Sequence, residues 1–269
     1  MAGFARVNNR GPVAIVPPMT YLLIHGGGSS ARFWDRLLPL LDQPALAVDL
    51  PGRNGKPADL GTLTVDEEVA SVLADVEAAD LADPIVVVAH SSGGLVVPGV
   101  LAGLGDRVSC VVLNAASVPP EGGCGLDCMQ ERHADGVKLA REMAAAEGTV
   151  ITTAGPPADP EAFRKTYGGE LLDDETLAYV VDPERCVTDT VNHYFQPVHW
   201  SAAPPVPVTY ILNRQDRPVP AALQEEMVSR LPGEPTVIRI DSGHVPAVTM
   251  PETFADLVRS AVTGCDRLT

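Results

Sequence analysis

Short apolar segments alternate with longer amphipathic segments along most of the chain. The short runs are rich in valine, leucine and isoleucine, which predicts buried strands, and the longer segments carry apolar residues at helical spacing. Strands are predicted at 20–24, 45–49, 85–89, 108–114, 206–212 and 235–240, and helices at 33–41, 64–81, 93–104, 220–231 and 251–262. This alternation predicts an α/β fold with a mostly parallel central sheet flanked by helices.

Two segments do not follow this alternation. Residues 1–18 are polar and then proline-rich, which predicts a loose N-terminal extension. Residues 117–204 are too long for a connecting loop and contain a helical stretch at 130–147. We therefore expect a core formed by residues 19–116 and 205–269, with residues 117–204 as a cap over the carboxyl ends of the strands, where open α/β sheets bind ligands.

Composition and net charge indicate which binding partners and which cellular location to expect. The 269 residues are 45% hydrophobic, enough for a full core. The net charge of −16 disfavours nucleic acid and anionic membrane surfaces, because both attract clustered lysine and arginine. No apolar run approaches the roughly 20 residues that span a bilayer, and the N-terminal segment lacks the pattern of a signal peptide. A soluble, cytoplasmic protein is expected.

The cysteines do not predict a disulfide framework or a metal site. There are five, an odd number for a chain of this size, so reduced thiols are expected. Cys124 and Cys128 lie close enough to suggest a metal clip, but a zinc site needs about four ligands and no second pair is visible. Two incidental thiols are the preferred interpretation, and no metal or organic cofactor is expected.

A serine in a strand-to-helix turn is the strongest candidate for chemistry. A β-branched run at 85–88 leads through small residues around Ser91 into a second apolar segment, as in a nucleophile elbow. Ala89 and Gly93 are small, as the close approach of strand and helix requires. Glycine-flanked serines also occur in ordinary turns, so Ser91 needs partners before the assignment is convincing. Ser92 is expected in the first helical turn, facing inward.

A base and an acid follow later strands. His244 comes after the last predicted strand on a glycine-marked loop, and Asp216 comes just after the strand at 206–212. The order serine, aspartate, histidine suits a catalytic triad built on converging strand ends. Asp241 is a weaker candidate acid because it precedes the histidine on the same short segment. His90 is expected to make local hydrogen bonds rather than act as a second base.

Backbone N–H groups near the first strand suggest an oxyanion hole. Residues 25–28 read His-Gly-Gly-Gly, so no side chains block these N–H groups. We assign the donors to Gly27 and to Ser92, the residue after the nucleophile, and which of the three glycines donates stays open. The other histidines are expected to occupy non-catalytic positions. His25 is expected to be structural, and His133, His193 and His199 are expected to be surface or packing residues.

Several local motifs together resemble one superfamily. They are His25-Gly26 followed by Phe33-Trp34, Asp49-Leu50-Pro51-Gly52, His90-Ser91-Ser92-Gly93-Gly94, Asp216-Arg217-Pro218-Val219-Pro220 and Asp241-Ser242-Gly243-His244-Val245-Pro246. The chain is similar to α/β-hydrolases, within the branch of small bacterial carboxylesterases, plant methylesterases and hydroxynitrile lyases. The resemblance spans residues 20–262 and implies a helical cap inserted after the sixth strand, a nucleophile at Ser91 and an oxyanion donor at Gly27.

The resulting expectation is a serine hydrolase. It would cleave a small or medium, mainly apolar carboxylic ester or lactone through an acyl-enzyme, with a small molecule as its partner and a homodimer left open. Lyases of the branch carry lysine directly after the catalytic histidine, whereas this chain has Val245, which favours an esterase. Lyase chemistry on the same scaffold and a ligand receptor without turnover stay open; a structural role is the least favoured alternative.

Overall fold

The computed structural model describes residues 19–168 and 172–265, so the predicted extension at 1–18 lies outside the described residues. Six strands form one parallel sheet in the order β2-β1-β3-β4-β5-β6. They are β1 (Thr20–Ile24), β2 (Ala45–Val48), β3 (Ile85–His90), β4 (Val108–Asn114), β5 (Val208–Asn213) and β6 (Thr236–Ile240). The predicted α/β class and the predicted strands are confirmed, and strand boundaries differ from expectation by no more than two residues.

Helices flank this sheet. They are α1 (Val65–Ala78), α2 (Val97–Leu104), α3 (Glu131–Ala146), α4 (Pro160–Phe163), α5 (Asp174–Val180), α6 (Ala221–Val228), α7 (Pro246–Thr249) and α8 (Pro251–Cys265). The prediction of one helix at 33–41 is wrong: two short 3₁₀ turns, Ala31–Trp34 and Leu38–Leu40, occupy this region. Pro39 explains the difference, because it has no backbone N–H to continue a helix. Within the described residues, no helix combines the length and apolar character needed to cross a bilayer.

Both faces of the sheet are buried. Every residue of β1 and β3 is buried, and alternate side chains enter two separate apolar clusters, with Leu22 and Val87 in one and Leu23 and Val88 in the other. This alternation follows from the two-residue period of a strand. It explains why these strands read as continuous apolar runs rather than as alternating patterns.

The turn after β3 lies very close to neighbouring backbone. A Cβ on Gly93 would lie 2.5 Å from the His25 carbonyl oxygen, and a Cβ on Gly94 would lie 2.4 Å from the Ser117 carbonyl oxygen. The Ser117 N–H also donates to the Ser91 carbonyl at 2.8 Å. The expectation of a small residue at position 93 is therefore confirmed, and the turn is held between the chain segments that follow β1 and β4.

The insertion between β4 and β5 contains α3, α4 and α5 with several short turns. It follows the fourth strand of the described sheet rather than a sixth strand, because the chain has formed only β1 to β4 before it begins. Its segment around residue 187 returns to the loop after β1: Ser29 and Cys186 form an antiparallel bridge, and the Val187 N–H donates to the Gly28 carbonyl at 2.9 Å. The insertion thus contacts the core beside the carboxyl edge of the sheet.

His25, immediately after β1, is fully buried and joins two loops at this edge. Its Nδ1 lies 2.8 Å from the Gly26 carbonyl, and its Nε2 lies 3.3 Å from the Leu50 N–H. One neutral tautomer satisfies both contacts, with Nδ1–H donating and Nε2 accepting. Burial, followed by the charge of Arg53, lowers the pKa of His25 to about 4. The ring is therefore a neutral connector, as expected of a structural histidine.

Replacing Gly94 with alanine should destabilise the protein. The added Cβ meets backbone, which cannot move aside as a side chain can, so we expect a loss of about 1–3 kcal/mol in the free energy of unfolding. The matched control is Gly136→Ala in α3, where a Cβ has no neighbour within 4 Å and a gain of about 0.5–1 kcal/mol is expected. Urea unfolding measures both, and equal effects of the two substitutions would contradict this packing.

His25 should make stability depend on pH. Its folded pKa lies below that of an unfolded chain, so the unfolded state takes up a proton first as the pH falls. The contribution is complete above about pH 6.5 and is lost towards pH 4, reaching on the order of 3 kcal/mol. Urea unfolding across this range should show a smaller loss in His25→Gln than in the wild type. Identical losses would rule out this role for His25.

Candidate active site

Ser91 lies at the tight turn directly after β3. Its φ of 51° places a non-glycine residue in the left-handed region, which costs on the order of 1–3 kcal/mol. The buried strand before it and the close backbone contacts after it hold this conformation. The serine is only half-buried, so the turn presents its hydroxyl at the carboxyl edge of the sheet, as a nucleophile requires.

Two consecutive hydrogen bonds join the three residues predicted to form a triad. His244 Nε2 lies 3.0 Å from Ser91 Oγ, and His244 Nδ1 lies 2.7 Å from Asp216 Oδ2. The Asp216 carboxylate accepts at Nδ1, which directs the proton there and leaves the Nε2 lone pair facing the serine hydroxyl. The other carboxylate oxygen, Oδ1, accepts the Val219 N–H at 2.8 Å and so stops the acid from rotating.

The backbone of His244 is held from two sides. Its carbonyl accepts from His90 Nε2 at 2.8 Å, and its N–H donates to the carbonyl of Tyr167 in the insertion at 3.1 Å. Burial, followed by the nearby His244, lowers the pKa of His90 well below its usual range. Because its Nε2 is committed as a donor, His90 supports the base through a local hydrogen bond, as expected.

Asp241, the alternative acid, does not contact the histidine. Its carboxylate is exposed and pairs with Arg214 at 3.0 Å, whereas Asp216 is buried against the imidazole. Geometry therefore favours Asp216.

The structure narrows the choice among the three glycines after β1. The Gly28 N–H donates to Asp189 Oδ2 at 2.8 Å and is not available to a substrate. Gly27 lies beside the residue after the nucleophile: a Cβ on Gly27 would be 2.9 Å from Ser92 Oγ. Ser92 is buried in a 3₁₀ turn that precedes α2. The N–H groups of Gly27 and Ser92 stay the predicted oxyanion donors.

A buried ion pair contacts the loop after β1, and the sequence did not predict it. The Arg53 guanidinium contacts the Asp189 carboxylate, and both side chains are almost completely buried. Burial, the largest single cause, would raise the pKa of Asp189, but the charges of Arg53 and His193 and the hydrogen bond from the Gly28 N–H together shift it downward. Arg53 also donates to the Ser29 carbonyl at 2.7 Å. No motif links residues so far apart in the chain, so only the tertiary structure could identify this pair.

The remaining histidines lie outside the immediate triad. His193 is buried with its Nδ1 3.2 Å from Glu68. Burial, the largest single cause, would lower the pKa of His193, but the charge and hydrogen bond of Glu68 together with the charge of Asp189 raise it. His199 is exposed and pairs with Glu121 at 3.1 Å, and His133 is exposed on α3. In the part of the chain that the structure describes, no group of three or more histidine, cysteine, aspartate or glutamate side chains is arranged to hold a metal ion.

Two tyrosines of the insertion approach the site and were not singled out from the sequence. The Tyr167 ring centre lies 5.8 Å from that of His244. The Tyr194 hydroxyl lies beside Gly27 and Ser92. Both belong to the six aromatic residues scattered through 117–204, and this scatter does not separate ligand contacts from packing.

The arrangement can activate a hydroxyl nucleophile. His244 Nε2 faces the Ser91 hydroxyl and Asp216 orients the imidazole, which is the arrangement that turns a serine into a nucleophile.

Comparisons with known proteins agree with this geometry. Residues 21–257 match the model of the alpha/beta hydrolase family. The chain is 26% identical over 270 residues to a pimeloyl-[acyl-carrier protein] methyl ester esterase of Neisseria meningitidis, covering 90% of this chain and 76% of that protein. It is 27% identical over 259 residues to the lipase LipV of Mycobacterium tuberculosis, covering 90% and 93%.

A solved structure supports the fold. An extracellular alpha/beta-hydrolase from a Paenibacillus species superimposes with a TM-score of 0.77 at 20% identity, covering 91% of this chain and 99% of that one. The six-stranded parallel sheet with its flanking helices is thus an α/β-hydrolase fold. Since the family model matches most of its length, the chain belongs to the alpha/beta hydrolase family.

Proposed function

We propose that the protein is a serine hydrolase that cleaves a small or medium, mainly apolar carboxylic ester or lactone. The observation that carries this proposal is the hydrogen-bonded series Ser91–His244–Asp216 at the carboxyl edge of the sheet. Relatives named as an esterase and a lipase support ester hydrolysis as the reaction. The substrate class is inferred from the site itself.

The first half-reaction forms an acyl-enzyme. Ser91 Oγ attacks the carbonyl carbon while His244 Nε2 takes the hydroxyl proton, and the carbonyl electron pair moves onto oxygen. The N–H groups of Gly27 and Ser92 stabilise that oxyanion. As the carbonyl re-forms, the alkoxide leaves with the proton from His244, and Asp216 stabilises the imidazolium between these steps.

The second half-reaction releases the acid. Water loses a proton to His244 Nε2 and attacks the acyl carbon, and the second tetrahedral intermediate collapses as Ser91 Oγ recovers the proton. For a lactone, alcohol and acid are parts of the same product. No step requires a metal or an organic cofactor.

The surroundings of the base favour an apolar substrate. The Phe163 ring stacks on Tyr167 with centroids 4.4 Å apart, and Tyr167 lies against His244. Aromatic rings bind apolar groups well, whereas the overall charge of −16 disfavours strongly anionic substrates. A small-molecule substrate, a cytoplasmic location and the possibility of a homodimer belong to the same proposal.

Lyase chemistry is the second candidate on this scaffold. Val245, directly after the base, is buried in the apolar cluster that also contains Val248 and Phe254. An apolar side chain there cannot supply the positive charge that the resemblance associates with stabilising a leaving cyanide. This position therefore favours hydrolysis over cyanohydrin cleavage.

Ser91→Ala should abolish hydrolysis. A fluorophosphonate should label the wild type at Ser91, and p-nitrophenyl butyrate should be hydrolysed; Ser91→Ala should lose labelling and at least about 10⁴-fold in kcat. The control is Ser260→Ala at an exposed position of α8, which should match the wild type. Labelling at another residue, tight ligand binding without turnover, or cleavage of cyanohydrins but not esters would each overturn the proposal.

Activity should fall in acid. A protonated His244 cannot accept the Ser91 proton, so kcat/KM for p-nitrophenyl butyrate should be lower at acidic than at neutral pH. Initial rates in buffers of constant ionic strength measure this profile, with unfolding at each pH monitored by circular dichroism. A flat profile in folded protein would contradict the role of His244 as the base.

A further inference from the structure

Tyr194, a residue of the insertion, places its hydroxyl beside the glycine loop that follows β1 (residues 25–28). It lies on the short turn Asn192–Phe195, and its Oη is 2.6 Å from the point that a Cβ on Gly27 would occupy. Ser92 Oγ is 2.9 Å from the same point. The phenol hydroxyl therefore occupies the space left by the missing side chain at position 27, next to both residues whose N–H groups are the predicted oxyanion donors.

The tyrosine is held in place on several sides. Its ring lies so close to Gly125 that a Cβ there would be 2.7 Å from Tyr194 Cδ1. The neighbouring His193 ring meets it edge-on with centroids 4.1 Å apart, and His193 is itself fixed by buried Glu68. Asn192 Nδ2 donates to the Leu63 carbonyl at 3.0 Å. This support means that the hydroxyl need not reorganise when charge develops nearby.

The hydroxyl keeps its proton at neutral pH. Burial is the largest cause and the Asp189 carboxylate adds to it; a hydrogen bond with the Ser92 side chain opposes them, but the pKa of Tyr194 is still raised above its ordinary value. A neutral phenol in this position is a hydrogen-bond donor, not a base.

We propose that the Tyr194 hydroxyl is a third oxyanion donor and hence a catalytic residue of the hydrolysis reaction. This assignment rests on the proposed function of Ser91. When Ser91 attacks the ester carbonyl, the new oxyanion lies between the N–H groups of Gly27 and Ser92, and the Tyr194 O–H donates a third hydrogen bond to it. The hydroxyl keeps its proton throughout, so the balance of both half-reactions is unchanged.

The insertion would then contribute directly to catalysis. Two donors belong to the core of the fold, whereas Tyr194 comes from the insertion and reaches the site only when the turn Asn192–Phe195 is seated. Loss of one donor from an oxyanion hole lowers kcat by about 10²–10³-fold when the remaining donors are retained. A hydroxyl that stabilises mainly the transition state should affect kcat far more than KM.

Tyr194→Phe tests the proposal, since it removes only the oxygen and retains the ring that packs on Gly125. With p-nitrophenyl butyrate we expect kcat to fall at least about 10-fold and KM to change less than about 3-fold. The rate of fluorophosphonate labelling at Ser91 should fall in parallel, because that reaction also develops charge on oxygen. Tyr179→Phe is the control: its hydroxyl donates to the Arg32 carbonyl at 3.0 Å, away from the site, and wild-type kinetics are expected.

A double-mutant cycle with Ser92→Ala separates direct donation from an effect through the Ser92 hydroxyl. The Ser92 N–H is retained in that variant, so a direct donor should still lose at least about 10-fold when Tyr194→Phe is added. If the second substitution has no effect in the Ser92→Ala background, Tyr194 only orients Ser92 and the proposal is wrong. Thermal unfolding checks that each variant is folded.

The outcomes distinguish this proposal from the proposed function. If the wild type hydrolyses the ester and is labelled at Ser91 but Tyr194→Phe retains kcat within about 2-fold, only the third donor is excluded. A rise in KM with unchanged kcat would make Tyr194 a ground-state contact and also overturn it. If the wild type neither turns over esters nor is labelled, the hydrolase proposal and the third donor are both wrong.

Discussion

The hydrogen bond between Ser91 and His244 depends on one unfavourable backbone conformation. Ser91 has a positive φ, and the turn persists because neighbouring backbone closes around it: the Ser117 N–H holds the Ser91 carbonyl, and Gly93 and Gly94 leave no room for side chains. Strain of this size is small beside the packing of two fully buried strands. The rigid sheet therefore imposes a conformation that the local sequence alone would not favour.

Parallel pairing of the strands brings the turn at Ser91 together with the other loops of the site. Ile24 pairs with Ala89, so the glycine loop after β1 and the serine turn after β3 begin at the same level of the sheet. Asn213, at the end of β5, donates from its side chain to the His244 carbonyl at 3.5 Å, which ties the acid and base loops together. Ser91, His244, Asp216 and the glycine loop after β1 thus meet at one edge because all of these strands run in the same direction.

The insertion is joined to this edge by buried charge. Arg53 of the core contacts Asp189 of the insertion, and Glu68 of α1 contacts His193 on the turn that carries Tyr194. Burying ions is costly unless each has a partner, and breaking one such pair leaves the other charge uncompensated. Both pairs therefore join the insertion to the core beside the glycine loop after β1.

Features that depend on one short segment could be predicted from the sequence. The strands were correctly predicted because their apolar runs are short, β-branched and bounded by turns, and Ser91, Asp216 and His244 stood at strand ends in a recognisable order. The helix predicted at 33–41 does not form because Pro39 cannot donate a backbone hydrogen bond, whatever the apolar spacing around it. Within the insertion, residues 130–147 were correctly predicted as helical, as α3 shows, but the short turns that carry Tyr167 and Tyr194 have no periodic pattern.

The sequence by itself determined the α/β class, the strand positions and the three side chains, Ser91, His244 and Asp216, that lie in one hydrogen-bonded series. Tertiary structure decided the pairing of Arg53 with Asp189, the commitment of the Gly28 N–H to Asp189 and the position of the Tyr194 hydroxyl beside Gly27. The physical reason is the separation along the chain between the residues that interact. Strand propensity and turn chemistry act over a few residues, whereas these contacts join residues more than a hundred positions apart and exist only once the insertion has packed on the core.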